Sequence, residues 1–326
     1  AATDAGAIRL DSSGGLKRDS IGVGKPAAGD SSPLYERVYH AALATSDSYA
    51  PVWYNLGVLA GERLEHQRAE SCYRRCLELD PRHAECLCNF GALLRRNGDA
   101  EGAVSLFERS LRASPNHHMI RANLAAALCD LGARAKQEGG GGGEGLRRAT
   151  EAYERALALE PANPLVLYNL GVAYSELGQK DRSVAMYELC LRFHPQYAEA
   201  WNNLGVLLRD RGNEERAIRC YEEAARLNPK FGQPLNNLGI VFAGRGEVRR
   251  SKNAFEAAIA ASPDYAEVHN NLGVLHRDVG DMTECLTSYK RCLFLDPKNR
   301  SAGHNLLMGL NYVKCGEEED VCLAHE

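Results

Sequence analysis

The triplet Asn-Leu-Gly recurs along this chain at residues 55–57, 169–171, 203–205, 237–239 and 271–273, and the last three intervals are each 34 residues. A fixed step of that size describes a stack of structural repeats, in which each unit completes its core only against its neighbours. The 326 residues would otherwise suggest about two domains. A stack grows one unit at a time, however, so one continuous domain is expected.

Around each triplet the pattern is regular: an aromatic or Leu before it, then a small residue, an aromatic and a Pro. This pattern resembles the tetratricopeptide repeat (TPR), two antiparallel helices per 34 residues. It implies an all-α fold, a TPR superhelix (α-α solenoid), with a disordered N-terminal tail and a C-terminal capping or junction helix. Seven repeats are expected, at 50–83, 84–117, 118–163, 164–197, 198–231, 232–265 and 266–299. Each second helix should stop near Pro81, Pro115, Pro161, Pro195, Pro229, Pro263 or Pro297, because proline cannot continue a helix interior. A small eighth residue (Gly57, Gly91, Ala125, Gly171, Gly205, Gly239, Gly273) allows the partner helix to approach closely. Gly98, Gly132, Gly178, Gly212, Gly246 and Gly280 are read as left-handed caps between helices. Trp53 and Tyr73, Leu87 and Phe107, and Trp201 and Tyr221 are read as seam-filling core.

Residues 1–33 are rich in Gly, Ser, Ala and Asp without apolar periodicity, and are expected to be disordered. The fragment GVGKP at 22–26 lacks the spacer, the hydroxyl residue after Lys25 and the preceding strand of a phosphate loop. Ala1 in place of Met leads us to expect a processed chain or a piece of a longer one. Residues 34–49 read as a partial repeat, a second helix carrying Tyr35, Tyr39 and Ala42. The third repeat has 12 extra residues, including Gly139–Gly143, expected to form a flexible link. Extension of its first helix through Arg134-Ala135-Lys136 would raise a protruding arm there, either a tolerated insertion or a functional one. Residues 300–326 restart a helix with Asn305 in step, then lose the pattern, as a capping helix and junction to a further domain would.

The formal charge of -4, with both signs interleaved, gives no basic stripe for nucleic acid and no polybasic membrane anchor. No apolar run reaches the ~18 residues of a spanning helix, and no secretory signal is seen, so a chain within the cell is expected. Among eleven cysteines, Cys72, Cys76, Cys190, Cys220, Cys285 and Cys292 fall on packing positions and are read as reduced core residues. Cys86-Leu87-Cys88 and His117-His118 lack the partners of a zinc site, so no metal is assigned.

Every repeat carries Asn at its sixth position: Asn55, Asn89, Asn123, Asn169, Asn203, Asn237, Asn271 and Asn305. Asn is a poor helix former, so a run of eight has another cause. The TPR resemblance implies that this position faces the concave groove, where an amide could donate to and accept from an extended peptide backbone. Local bonding within the fold is the alternative for any single Asn. Acidic Glu62, Asp130, Glu176, Asp210 and Asp278 at the thirteenth position could meet side chains of a bound segment, or could be solvated helix-end charge. A clamp for a chaperone-tail carboxylate would need Lys or Arg at the second, fifth and ninth positions, where Glu199, Asn202 and Val206 stand.

The stretches SYAPVWYNLGVL, LCDLGARAKQEG, YNLGVAYSELG, AEAWNNLGVLLRDRGN, PKFGQPLNNLGIVF, YAEVHNNLGVLHRDVGD and DPKNRSAGHNLLMGLNYVKCGEEEDVCLAHE occur in this order. Together, over about residues 34–326, they resemble the TPR region of the SPINDLY-like family of protein glycosyltransferases, relatives of the nucleocytoplasmic O-GlcNAc transferase. The polyglycine loop and the first 33 residues depart from that pattern. The resemblance implies a protein O-fucosyltransferase or O-GlcNAc transferase acting on Ser/Thr of nuclear and cytoplasmic proteins. Its substrates would be extended Ser/Thr-containing segments, and its repeats could support a homodimer. The catalytic domain, with a sugar nucleotide (GDP-fucose or UDP-GlcNAc), would follow Glu326; this chain has no βαβ nucleotide pattern, and no catalytic residue is assigned. The rival reading is a TPR scaffold without chemistry.

Overall fold

The computed structural model describes residues 9–10, 16–17, 39, 43, 48–139 and 143–323, with backbone alone at 9–10, 16–17 and 313–323. A two-residue antiparallel ladder pairs β1 (Arg9–Leu10) with β2 (Leu16–Lys17). The rest of the segment expected to be disordered lies outside the described residues, as does most of the expected partial repeat. Its Tyr39 and Leu43 are helical and pack on Val52, Leu56 and Cys72.

The chain divides into two compact units, Ala1–Asn169 and Leu170–Glu326. The first contains α1 (Ala50–Glu62), α2 (His66–Leu79), α3 (Ala84–Arg96), α4 (Ala100–Ala113), α5 (His118–Glu138), α6 (Gly143–Leu159) and the start of α7 (Pro164–Glu176). The second contains the rest of α7, then α8 (Lys180–Phe193), α9 (Ala198–Asp210), α10 (Glu214–Leu227), α11 (Gly232–Gly244), α12 (Val248–Ala261), α13 (Ala266–Asp278), α14 (Met282–Leu295) and α15 (Arg300–Leu323). The fold is an all-α TPR solenoid of helix pairs. Every second helix from α2 to α14 stops two residues before its proline, whose ring disfavours helical backbone at the preceding residue.

Helix pairs close over a glycine. A Cβ added at Gly57 would lie 2.6 Å from the Tyr73 ring, and the same distance separates Gly205 from Tyr221 and Gly273 from Tyr289. The ring therefore rests on helix backbone, and any side chain there would force the pair apart. Ala69, Ala103, Ala149, Ser183, Ala217, Ser251 and Cys285 keep the opposite wall equally small and are fully buried. Where that residue is Ser, its hydroxyl donates to a carbonyl: Ser183 to Gly171 at 2.6 Å, Ser251 to Gly239 at 2.8 Å. These bonds satisfy groups that burial would otherwise penalise.

The six cysteines read as core are buried, and none of them forms a disulfide. Burial pushes the thiols of Cys129, Cys190 and Cys220 up to about 11, so they are neutral at pH 7 and poor nucleophiles.

Two turns depart from expectation. Gly98, Gly178, Gly212, Gly246 and Gly280 have positive φ, but Gly132 is not a cap. It lies inside α5, where an added Cβ would meet the Tyr153 ring at 2.6 Å. Both helices of the third pair are longer than their counterparts, and the glycine-ring contact has moved from Ala125 to Gly132, about two helical turns along. The inserted residues extend packed helix: α5 continues through Arg134, Ala135 and Lys136 to Glu138, Ala135 and Leu146 are buried, and Gly145 approaches so closely that its Cβ would lie 2.6 Å from the Ala135 carbonyl. Of the glycines expected to form a flexible link, Gly139 caps α5 and Gly143 opens α6, while 140–142 lie outside the described residues.

The other departure is Leu64. It takes φ 62° in the first turn, where later repeats use glycine, and its side chain is 66% exposed, offering little packing in return. The left-handed region costs an L-residue about 1–2 kcal/mol, partly offset by glycine's larger unfolded-state entropy. Leu64→Gly is expected to stabilise the first unit by about 0.5–1 kcal/mol, read as a higher urea midpoint at unchanged slope. A lower midpoint would show that the Leu64 side chain contributes more than its backbone costs.

Candidate functional site

The first helices of successive pairs neighbour one another within each unit: α1, α3 and α5 in the first, and α9, α11, α13 and α15 in the second. Their sixth residues therefore form rows. In the first unit the row is Asn55, Asn89 and Asn123, with Asn169 on the part of α7 it contains; in the second it is Asn203, Asn237, Asn271 and Asn305. All eight side chains are half-buried, neither sealed in the core nor free in solvent.

In each unit these amides tie one repeat to the repeat before it. Asn237 Nδ2 donates to Asn202 Oδ1 at 3.0 Å, Asn271 Nδ2 to Asn236 Oδ1 at 2.9 Å, and Asn305 Nδ2 to Asn270 Oδ1 at 3.1 Å. In the first unit Asn89 Nδ2 donates to Tyr54 Oη at 3.1 Å and Asn123 Nδ2 to Cys88 Sγ at 3.6 Å. In these five bonds the partner is the fifth residue of the preceding repeat, 35 residues back. Burial, reinforced by Glu85, holds the Tyr54 phenol well above its ordinary range, so it remains a neutral acceptor.

The bonds join into a chain in the second unit. Asn202 Nδ2 donates to Asn203 Oδ1 at 3.2 Å, and Asn203 Nδ2 to Tyr187 Oη at 3.3 Å. With Asn237 this links α8, α9 and α11 through side chains alone. Asn202 and Asn236 are only 4% and 2% exposed. The fifth position, considered from sequence only as a place where a carboxylate clamp would need Lys or Arg, is an acceptor within the fold, buried at Asn202 and Asn236 and half-buried at Tyr54, Cys88 and Asn270. The signal for it is the doublet Asn-Asn at 202–203, 236–237 and 270–271. Reading the sixth residue alone missed it.

An amide carries two N–H donors and one acceptor with two lone pairs. One donor of each of Asn89, Asn123, Asn203, Asn237, Asn271 and Asn305 is committed to the fold by the bonds above. The half-buried remainder can face a ligand. Beside the row in the second unit, Glu199, Gln233, Glu267 and Ser301 at the second position are exposed or half-buried, and Val206, Ile240 and Val274 at the ninth are half-buried. The face is thus a strip of amides between a polar row and an apolar one.

Of the acidic thirteenth positions, Glu62, Glu176, Asp210 and Asp278 end their first helices, whereas Asp130 lies inside the lengthened α5; Asp130 pairs with Arg95 at 2.5 Å, Asp210 with Lys180 at 3.0 Å and Asp278 with Arg277 at 2.9 Å. Exposed pairs of this kind contribute only about 0–1 kcal/mol, so they remain able to exchange partners. The His117 and His118 rings stack with centroids 5.8 Å apart. Among the described residues no group of three or more His, Cys, Asp or Glu could hold a metal ion, and no helix is long and apolar enough to cross a membrane.

Removing Asn237 strands a buried acceptor on Asn202, a loss of about 1–3 kcal/mol. Removing both partners strands nothing between them. A double-mutant cycle of Asn202→Ala and Asn237→Ala, followed by urea unfolding, is therefore expected to give a coupling of about 1 kcal/mol. Additive losses would show that the bond does not join the repeats.

Comparison with known proteins bears on identity. Models described as "Tetratricopeptide repeat" match residues 50–83, 72–105, 165–197, 198–231 and 236–300, and one described as "TPR repeat" matches 146–178. Two proteins called "Probable UDP-N-acetylglucosamine--peptide N-acetylglucosaminyltransferase SPINDLY", from Oryza sativa subsp. japonica and Hordeum vulgare, are each 47% identical over 139 residues, covering 43% of this chain. The match spans 14% of the length of either relative. A solved thermophilic TPR protein of Thermus thermophilus aligns at 24% identity and a TM-score of 0.47, over 57% of this chain and 98% of that one. With repeat matches spread from residue 50 to residue 300 and a helix-pair solenoid to carry them, the chain belongs to the tetratricopeptide-repeat family.

Proposed function

We propose that this chain is the substrate-binding part of a SPINDLY-like protein glycosyltransferase, and that it holds extended Ser/Thr-containing segments along the asparagine rows. The observation that carries the reading is the row itself. Asn237, Asn271 and Asn305 are each fixed by a bond to the preceding repeat, so their amides are oriented before a peptide arrives. A peptide backbone offers the complementary C=O and N–H at every residue, and amides that read it carry little side-chain preference. That suits a transferase with many protein targets. The transfer itself, from GDP-fucose or UDP-GlcNAc, would belong to a catalytic domain outside these residues, in the nucleus and cytoplasm as the likeness to SPINDLY suggests. A scaffold without chemistry would use the same face, and the length of the relatives beyond the matched segment favours the transferase.

Replacing Asn203, Asn237 and Asn271 together by Ala removes three ligand-facing amides. At roughly 0.5–1.5 kcal/mol for each lost hydrogen bond, affinity per folded molecule is expected to fall by about one to three orders of magnitude. The fall should be similar for two Ser/Thr-rich peptides of unrelated sequence. Titration of both against parent and variant, with folded fraction fixed by thermal melting, measures it. Unchanged affinity per folded molecule would confine these asparagines to the fold.

A further inference from the structure

An open cleft of about 450 Å³ lies between the N-terminal ends of α13 and α15, in the second unit, at the edge of the asparagine row. Its origin is legible residue by residue. At the last position of their repeats, Tyr197, Phe231 and Tyr265 place an aromatic ring, but Asn299 does not. At the second position, Pro51, Glu85, Met119, Leu165, Glu199, Gln233 and Glu267 are all larger than Ser301. Two truncations coincide, and the space they leave is the cleft.

Its lining is rich in acceptors. Glu267 and Asp296 both line it, together with Asn270 and Asn271. Tyr265 donates its hydroxyl to Glu267 Oε2 at 3.0 Å and so holds that carboxylate in position. Asp296 accepts the Lys298 backbone N–H at 3.1 Å, leaving further lone pairs free. No Lys, Arg or His lines the cleft. The N-termini of α13 and α15 bring about half a positive charge each, against two full negative charges. The balance therefore excludes an anion and favours a cation with several donors. Of the seven repeats, this alone joins a Glu at its second position to an Asp at its thirty-first.

We propose that this cleft is a side-chain subsite for arginine in the bound segment, with the guanidinium between Glu267 and Asp296. The planar fork of five donors matches two carboxylates and neighbouring amide oxygens better than an ammonium does. The inference rests on the reading of the asparagine rows as a peptide-binding face. It adds one selective position to a strip that otherwise reads backbone.

The test uses the whole chain and fluorescence anisotropy with three labelled ten-residue peptides in a Ser/Ala background, identical except for a single Arg, Lys or Gln. The Arg peptide is expected to bind at least tenfold more tightly than the Gln peptide, with Lys between them. Glu267→Gln/Asp296→Asn should abolish this preference and leave Gln-peptide affinity and the melting temperature unchanged. Ser301→Gln, which fills the cleft with the residue found at position 233 and changes no charge, should abolish it as well. Equal binding of Arg and Gln peptides by the parent, or a preference that survives both variants, would overturn the subsite while leaving the backbone reading standing. Arg-dependent binding with no measurable binding of the Gln peptide would support the subsite and overturn the backbone reading. Absence of binding by any peptide would overturn both.

Discussion

The contact between a glycine in the first helix and an aromatic ring in the second sets the geometry on which everything else in each unit depends. Because a Cβ at Gly57, Gly205 or Gly273 would sit 2.6 Å from a Tyr ring, the two helices pack at a distance that only glycine allows. Repetition of that spacing brings successive first helices side by side. Only then can an amide on one repeat reach the fifth residue of the repeat before it. The third pair shows that the contact, rather than the residue count, is what is kept: with both helices lengthened, the ring of Tyr153 moves to Gly132.

Much of this was readable in the sequence because it depends on local chemistry repeated at a fixed step. Proline two residues beyond each second helix, glycine at the turns and a ring at the twenty-fourth position are signals that neighbouring residues do not alter. Misreadings came where a residue's role is set by another element. Gly132 follows Asp-Leu as a cap glycine would, yet α5 runs on through it because the inserted residues extend the helix. Leu64 carries no mark of a left-handed residue; the turn imposes that conformation on it.

The candidate site was half legible for the same reason. Eight asparagines at one repeat position announce a shared purpose, and a sixth-position count finds them. The acceptors of five of them lie 35 residues away and vary between Tyr54, Cys88, Asn202, Asn236 and Asn270, so no pattern within one repeat reveals them. The cleft beside α15 is harder still, since it exists through what Asn299 and Ser301 lack in bulk. The proposed function implies a division of labour within a single amide: one N–H holds the stack, as in Asn237, Asn271 and Asn305, and the remaining groups meet the peptide.

That division can be observed at the amides themselves. Side-chain 15N–1H signals of asparagine report the bonding of each NH2 group, and both of its protons are resolved. On titration with a Ser/Ala peptide, one proton each of Asn203, Asn237 and Asn271 is expected to shift while the other, bonded within the fold, holds its position. The amide signals of buried Asn202 and Asn236 should move little. A peptide that binds while all of these signals stay fixed would contradict the account.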